Sequence, residues 1–357
     1  MTALAFSTGL AAVPAFADTI SPESYSAELA VGETVTIEKT VVIEATGPTD
    51  AVIDVHFLID TSGSMGAQVD AAKAASSGLF SALETSFGDV AASVGVFSEA
   101  ATLTESRPNA LAIIGGGLTT DNPTFTANVN SVQLNVPDGG GDFPESGWTA
   151  IALSGENLDW RPGSNRFMFV FTDASAKGDL AGAQATLAAN DISLVTLSYG
   201  SLATITASYV TPFGAAATAY ASSTSAADII ADVTAGITAG FADYSTVSVS
   251  DLGLGALQGI DVSAVCTGAD IGVCSGDSAT GTFDRSVDRT FTSDVTFERT
   301  GGSDAAFLTY GLVDGGIVAR ESDTFTGGGV PAVPLPAGLP LILTAFAGLA
   351  FLRRRQA

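Results

Sequence analysis

Histidine is almost missing from this 357-residue chain, where His56 stands alone. That excludes a zinc site built on several imidazoles and a Ser-His-Asp triad around any other histidine. No HExxH, GxSxG or Gly-Lys-Ser/Thr segment occurs, so metalloprotease, nucleophile-elbow and phosphate-loop chemistry have no carrier. His56 lies inside an apolar run and reads as a hydrogen-bonded core residue, and no enzymatic activity is expected. Positive charge is scarce too: 13 Lys and Arg face 38 Asp and Glu, for a formal charge of −25. The only lysines are Lys39, Lys73 and Lys177. Such a surface repels nucleic acid and suits a salty, cation-rich exterior. Cysteine is limited to Cys266 and Cys274. The two Gly runs, Gly115 to Gly117 and Gly139 to Gly141, lack the strand-to-helix setting of a nucleotide fingerprint and read as loops.

What is present begins with the run Phe57-Leu58-Ile59-Asp60-Thr61-Ser62-Gly63-Ser64-Met65-Gly66. The apolar stretch Val52 to Ile59 predicts a buried strand, and Gly63 and Gly66 allow a tight turn after it. Asp60, Ser62 and Ser64 can then turn three oxygens toward one hard cation. Mg²⁺ prefers such oxygen ligands and keeps several waters. The plain alternative is a Ser-rich turn capping a helix from Val69 to Phe87. Two later stretches tilt the balance: Asp142-Phe143-Pro144-Glu145, and Phe169-Val170-Phe171-Thr172-Asp173-Ala174, a second apolar strand ending in a carboxylate. In an open parallel sheet ligands gather at the carboxyl ends of strands, so Asp60 and Asp173 are expected at one edge.

These segments resemble the metal-ion-dependent adhesion site (MIDAS) of von Willebrand factor A (vWA) domains. Asp142-Phe143-Pro144-Glu145, Trp160-Arg161 and Thr172-Asp173-Ala174 are similar, in the same order, to the A-type domain of integrin β subunits. The resemblance implies a Rossmann-like α/β fold with a mostly parallel sheet flanked by helices. It implies Mg²⁺, with Ca²⁺ or Mn²⁺ as alternatives, held by Asp60, Ser62 and Ser64. Glu145 ranks first and Thr149 second as the group from the middle loop, and Asp173 is a direct or water-mediated ligand. Ala67 and Gln68 stand where integrin β chains carry acidic residues for an adjacent Ca²⁺, so that neighbouring site is not expected. A carboxylate of a protein or polysaccharide partner would take the cation's open position.

Both ends of the chain read as addresses. Residues 3–17 are small and apolar and finish Ala15-Phe16-Ala17 before Asp18, as a secretory signal over 1–17 does, although its basic start is absent. Val333-Pro334-Leu335-Pro336-Ala337, an apolar run at 338–352 and Arg353-Arg354-Arg355 resemble the VPLPA variant of the PEP-CTERM sorting signal, which an exosortase recognises in Gram-negative bacteria. The run falls short of the ~20 residues of a comfortable spanning helix, which suits a transient membrane anchor. The resemblance implies passage through the inner membrane to the cell surface or extracellular matrix. In an exported protein, Cys266 and Cys274 most simply pair as a disulfide stapling one hairpin or loop, with buried free thiols as the other option.

Between the addresses, strand and helix patterns alternate over 50–243, the extent predicted for the vWA domain. Strands are predicted at Val52–Ile59, Val90–Phe97, Phe167–Thr172, Ile192–Ser198 and Ala215–Ser222, with helices at Val69–Phe87, Leu180–Asn190 and Ala226–Phe241. Over 244–329 the period changes to two, which predicts a small antiparallel β-sandwich. The stretch Thr34 to Ile43, within 18–49, alternates likewise without a neighbour to pair with. It is expected to join the later strands and make the A domain an insertion, with residues 330–357 left as the sorting signal. The expected function is an exported binding or adhesion protein, and the alternative is a self-assembling component of the envelope or matrix.

Overall fold

The computed structural model describes residues 18–98, 111–137 and 143–327. The segments read as a secretory signal, at 1–17, and as a sorting signal, with Val333 to Ala337 and Arg353 to Arg355, and also Asp142, lie outside the described residues. Among those described, no helix is long and apolar enough to cross a membrane.

The chain opens with β1 (Thr19–Ser21), β2 (Ser24–Glu28) and β3 (Thr34–Ile43). An α/β unit follows, made of β4 (Ala51–Asp60), α1 (Gly66–Phe87), β5 (Gly88–Phe97), β6 (Ala112–Thr119), α2 (Asn122–Asn130), α3 (Gly147–Asn157), β7 (Asn165–Thr172), α4 (Leu180–Ala189), β8 (Ile192–Ser198), α5 (Leu202–Ile205), β9 (Ala217–Ala221) and α6 (Ala226–Gly240). The remainder is β10 (Asp243–Ser250), β11 (Ile260–Gly268), β12 (Val273–Ser275), β13 (Ser278–Asp284), β14 (Arg289–Arg299), β15 (Ala305–Val313) and β16 (Gly316–Thr326).

In the α/β unit the strand order is β6-β5-β4-β7-β8-β9, parallel except at the β5–β6 edge. Every residue of β4 is buried. That is why its sequence runs apolar without alternation: helices cover both faces of the sheet. One face packs Phe57, Phe169 and Phe171 against α1, α2 and α6. The other packs Leu58, Met168 and Val170 against α3 and α4. The helix α1 buries Val69, Ala72, Ser76, Leu79, Phe80, Leu83 and Phe87, a three-and-four spacing that lays one stripe on the sheet. Elements of this unit differ from the sequence reading, among them the short α5. Gly115 to Gly117, read as a loop, lie within β6, and α2 and α3 had no expected counterpart. Glycines mask β6 because they contribute no side chain to an alternating pattern.

The flanking strands form a sandwich of two sheets, ordered β1-β3-β14-β11 and β12-β13-β10-β15-β16-β2. Along β3, ten residues stand opposite β14, from Thr34 with Glu298 to Ile43 with Arg289. Chain from before and after the α/β unit therefore shares one core, and the unit is inserted between β3 and β10. Burial in β14 alternates along its length, so Phe291, Val295 and Phe297 face inward. Cys266 and Cys274 form a disulfide. It staples the loop between β11 and β12 and not a hairpin: these are edge strands of opposite sheets, so the bridge also joins the two layers.

The insert sits on the sandwich by the starts of its central strands. Asn165 Nδ2 donates to the carbonyls of Val52 and Ile317, both at 3.0 Å. The Ile317 amide donates to the Gly163 carbonyl at 2.8 Å. The strands' carboxyl ends point the other way, away from the described residues of the sandwich.

Candidate metal centre

Asp60 ends β4 with its carboxylate buried. Its Oδ1 accepts from the Ser62 amide at 2.8 Å, and its Oδ2 from the Thr172 hydroxyl at 2.7 Å. Thr172 ends β7, the parallel neighbour, and the register, which sets Ile59 beside Phe171, delivers both groups to one rim. Ser62 Oγ lies 3.2 Å from Ser64 Oγ, and the Ser64 hydroxyl donates to Asp173 Oδ1 at 3.2 Å. The two strand-end carboxylates are thus linked through two hydroxyls, with Ser64 exposed at the mouth. Thr61 holds the turn: its amide donates to the Phe97 carbonyl at 2.8 Å and its own carbonyl accepts from Asn135 at 2.6 Å.

Electrostatics at this rim are unfavourable for the bare carboxylates. Burial pushes the Asp60 carboxyl up from 3.8 to about 6, held back by the bonds from Ser62 and Thr172 and assisted by the charge of Asp173. The four side chains Asp60, Ser62, Ser64 and Asp173 present oxygen only, the donor set that hard divalent cations take. A cation here would relieve the desolvated Asp60 charge, so the residues fit such a group. Among the described residues no three or more His, Cys, Asp or Glu side chains form a metal-holding group, so hydroxyls have to complete this one.

The two middle-loop candidates are placed differently. Glu145 is buried, and its backbone bridges to the segment after Asp173: its amide donates to Ser175 at 3.0 Å and its carbonyl accepts from Lys177 at 2.7 Å. Thr149 lies in the first turn of α3, where its hydroxyl accepts from the Asp179 amide at 3.0 Å. Gly178, at φ +105°, permits that closeness, because a Cβ there would come within 2.1 Å of the Thr149 hydroxyl. Thr149 is thus engaged by the neighbouring loop.

Two functional residues escaped the sequence reading. Thr172 stood inside a quoted segment but received no role, although a Thr before a strand-end Asp is a visible signal. Tyr209 has no local signal at all. Its phenol is fully buried and pushed well above its ordinary range, first by burial and then by the charges of Asp60 and Glu145. It therefore lies between the first and middle loops, and it packs where Gly147 leaves no Cβ.

His56 lies apart from the rim. Its Nδ1 and Nε2 contact the Ser93 and Ser154 hydroxyls at 2.8 and 3.0 Å, and burial lowers it from 6.5 to about 3, so it stays neutral. Trp160-Arg161 serve the opposite end of the sheet. The Arg161 guanidinium spans Asp54 at 2.5 Å and Asp89 at 2.7 Å, tying β4 to β5.

The fold class is therefore α/β, a mostly parallel sheet between helical layers with a strand-end oxygen cluster, joined to a sandwich whose strands are antiparallel except for β2 beside β16. No protein-family description and no curated protein matches the chain. Among solved structures, it is similar to a von Willebrand factor type A protein from Catenulispora acidiphila, at 15% identity over 87% of this chain and 73% of that one, with a TM-score of 0.42. A second is the pilus adhesin SpaC from Lactobacillus rhamnosus GG in its open conformation, at 11% identity over 82% of this chain and 45% of that one, TM-score 0.39. A third is an aerotolerance-related membrane protein from Bacteroides fragilis, at 20% identity over 41% of this chain and 67% of that one, TM-score 0.30.

Proposed function

We propose that this chain is an exported binding protein that holds one Mg²⁺ at the rim of its α/β unit and captures an acidic group of a protein or polysaccharide partner. One observation carries the reading: Asp60, Ser62, Ser64 and Asp173, from two strand ends, form one contiguous oxygen cluster open to solvent through Ser64. Mg²⁺, or Ca²⁺ or Mn²⁺ in its place, would supply a hard positive charge with a position free for an anion. Asp60 would carry the charge balance, Ser62 and Ser64 would orient on it, and Asp173 would hold water or the ion from the second strand. Glu145 would neutralise from the middle loop, with Tyr209 keeping water from that side. The protein would act by binding and not by catalysis, at the surface or in the matrix of a Gram-negative cell. The segments outside the described residues would give export, transient anchoring in the inner membrane and processing by an exosortase.

Titration calorimetry of the full chain with Mg²⁺ tests the site. Saturable heat is expected from the parent and at least a tenfold loss from Asp60→Ala; equal heats from both would remove the site. Capture of a surface-extract ligand in Mg²⁺ but not in chelator would support the partner class, and capture indifferent to chelator would refute it.

A second reading, self-assembly of copies into an envelope or matrix, is favoured by one observation. Val265, Ile271 and Val273 are all more than half exposed on or beside β11 and β12. Light scattering separates the two: a monomer at all Mg²⁺ concentrations argues against assembly.

A further inference from the structure

Only three lysines occur in this chain, and Lys39 is completely buried in the sandwich. Its Nζ pairs with Glu321 Oε2 and lies 3.2 Å from Asp323 Oδ1; all three side chains are 0% exposed. Lys39 comes from β3 in one sheet, and the two acids from β16 in the other, so the contact crosses the core. The walls are aromatic. Lys39 Nζ stands 5.2 Å from the centre of the Phe297 ring, which packs at 4.8 Å on Phe325, itself 5.9 Å from Phe307. The Thr309 hydroxyl donates to Asp323 Oδ2. Glu321 has no hydrogen bond to either carboxyl oxygen beyond its ion pair, and burial pushes it up to about 7.

As an ion pair this cluster is poorly balanced. Two carboxylates face one ammonium in a core where apolar residues of similar size would serve stability as well or better. Condensation removes one positive and one negative charge together and leaves Glu321 without a second carboxylate beside it.

We propose that Lys39 Nζ and Asp323 Cγ are joined by an amide bond that the folded chain makes itself, with Glu321 as the proton carrier. Glu321 takes a proton from the Lys39 ammonium, and the freed amine attacks Asp323 Cγ, polarised by the Thr309 hydroxyl on Oδ2. The C–N bond forms, Glu321 passes that proton and then one from the adduct nitrogen to Oδ1, and the Cγ–Oδ1 bond breaks with loss of water. Of the three ammonium hydrogens, one remains on the amide and two leave with Oδ1 as water. No oxidant, reductant or activating group is required, and Glu321 ends as it began. The bond ties residues 284 positions apart and closes the chain around the inserted α/β unit.

Peptide mapping of the full chain, reduced and denatured, tests the bond. Trypsin is expected to leave the chain uncut after Lys39 and to release a linked species, joining that segment to the one that begins at Glu321, lighter by one water than the sum of its parts. Asp323→Ala and Glu321→Gln are each expected to restore cleavage after Lys39 and abolish the linked species. Should either variant fail to fold, the parent's own map still decides. Parent chain cut after Lys39 with no linked species would overturn the proposal. A fragment spectrum placing the link on Glu321 would overturn the assignment of roles.

Discussion

Asp60 shows how one side chain couples stability to the site. Its folded value lies near 6, above its ordinary 3.8, so the fold favours the protonated form between those values. Without a divalent cation, the native state holds more protons than the unfolded chain there, and stability falls as pH rises from about 4 to about 6. The shift corresponds to roughly 3 kcal/mol. His56 works in the opposite sense. Lowered from 6.5 to about 3, it contributes stability that is full above 6.5 and lost as pH falls toward 3. The two effects overlap and partly cancel, so a difference measurement is needed. Denaturant midpoints of the parent and of Asp60→Asn are expected to diverge as pH rises through 4 to 6, the variant gaining relative to the parent; parallel curves would refute this. With saturating Mg²⁺ the parent's fall should disappear.

At the scale of elements, the site rests on parallel strands whose register brings their ends together. The strands β4 and β7 pair from Ile53 with Asn165 to Ile59 with Phe171, so Asp60 and Thr172 end together. Arg161 fixes the other end of this sheet. Its guanidinium is about one-quarter exposed, whereas Asp54 is fully buried. Arg161→Met would leave that carboxylate only the backbone amide of residue 161 and no countercharge, at a cost of about 3 kcal/mol. Arg161→Lys is expected to rescue only part of this, because an ammonium cannot reproduce the fork across Asp54 and Asp89. Urea unfolding of both variants measures it, and a loss under 1 kcal/mol for Met would mean that Asp54 finds another partner.

On the scale of the whole molecule, the sandwich is closed by the pairing of β3 with β14 and by a disulfide between its sheets. The strand β3 occupies an interior place between β1 and β14, so a chain lacking residues 18–43 would expose the flank of β14 and the Phe297 face. Such a deletion is expected to lose the cooperative unfolding transition of the sandwich, and an unchanged transition by fluorescence would refute it. The disulfide contributes through a short loop of sequence separation 8. The chain-entropy relation assigns it roughly 2.5 kcal/mol. The pair of Cys266→Ser and Cys274→Ser should lower the denaturant midpoint accordingly. Because the insert stands on the starts of β4 and β7, its oxygen cluster faces away from these closures, and neither variant is expected to alter Mg²⁺ uptake.

Much of this was determined by sequence alone, because it is local. Continuous apolar runs marked β4, β5 and β7 as strands covered on both faces, and the carboxylates after Ile59 and Thr172 marked the rim. Period-two stretches marked β3, β10, β14 and β15. Tertiary structure decided the rest, because it depends on partners remote in the chain. It set the hydroxyl of Thr149 on Asp179, brought Tyr209 between Asp60 and Glu145, and made an edge strand of the Gly115 segment. It also placed Lys39 against Glu321 and Asp323 across two sheets. No local pattern announces a contact whose partners lie nearly three hundred residues apart, since only the closed core brings them together.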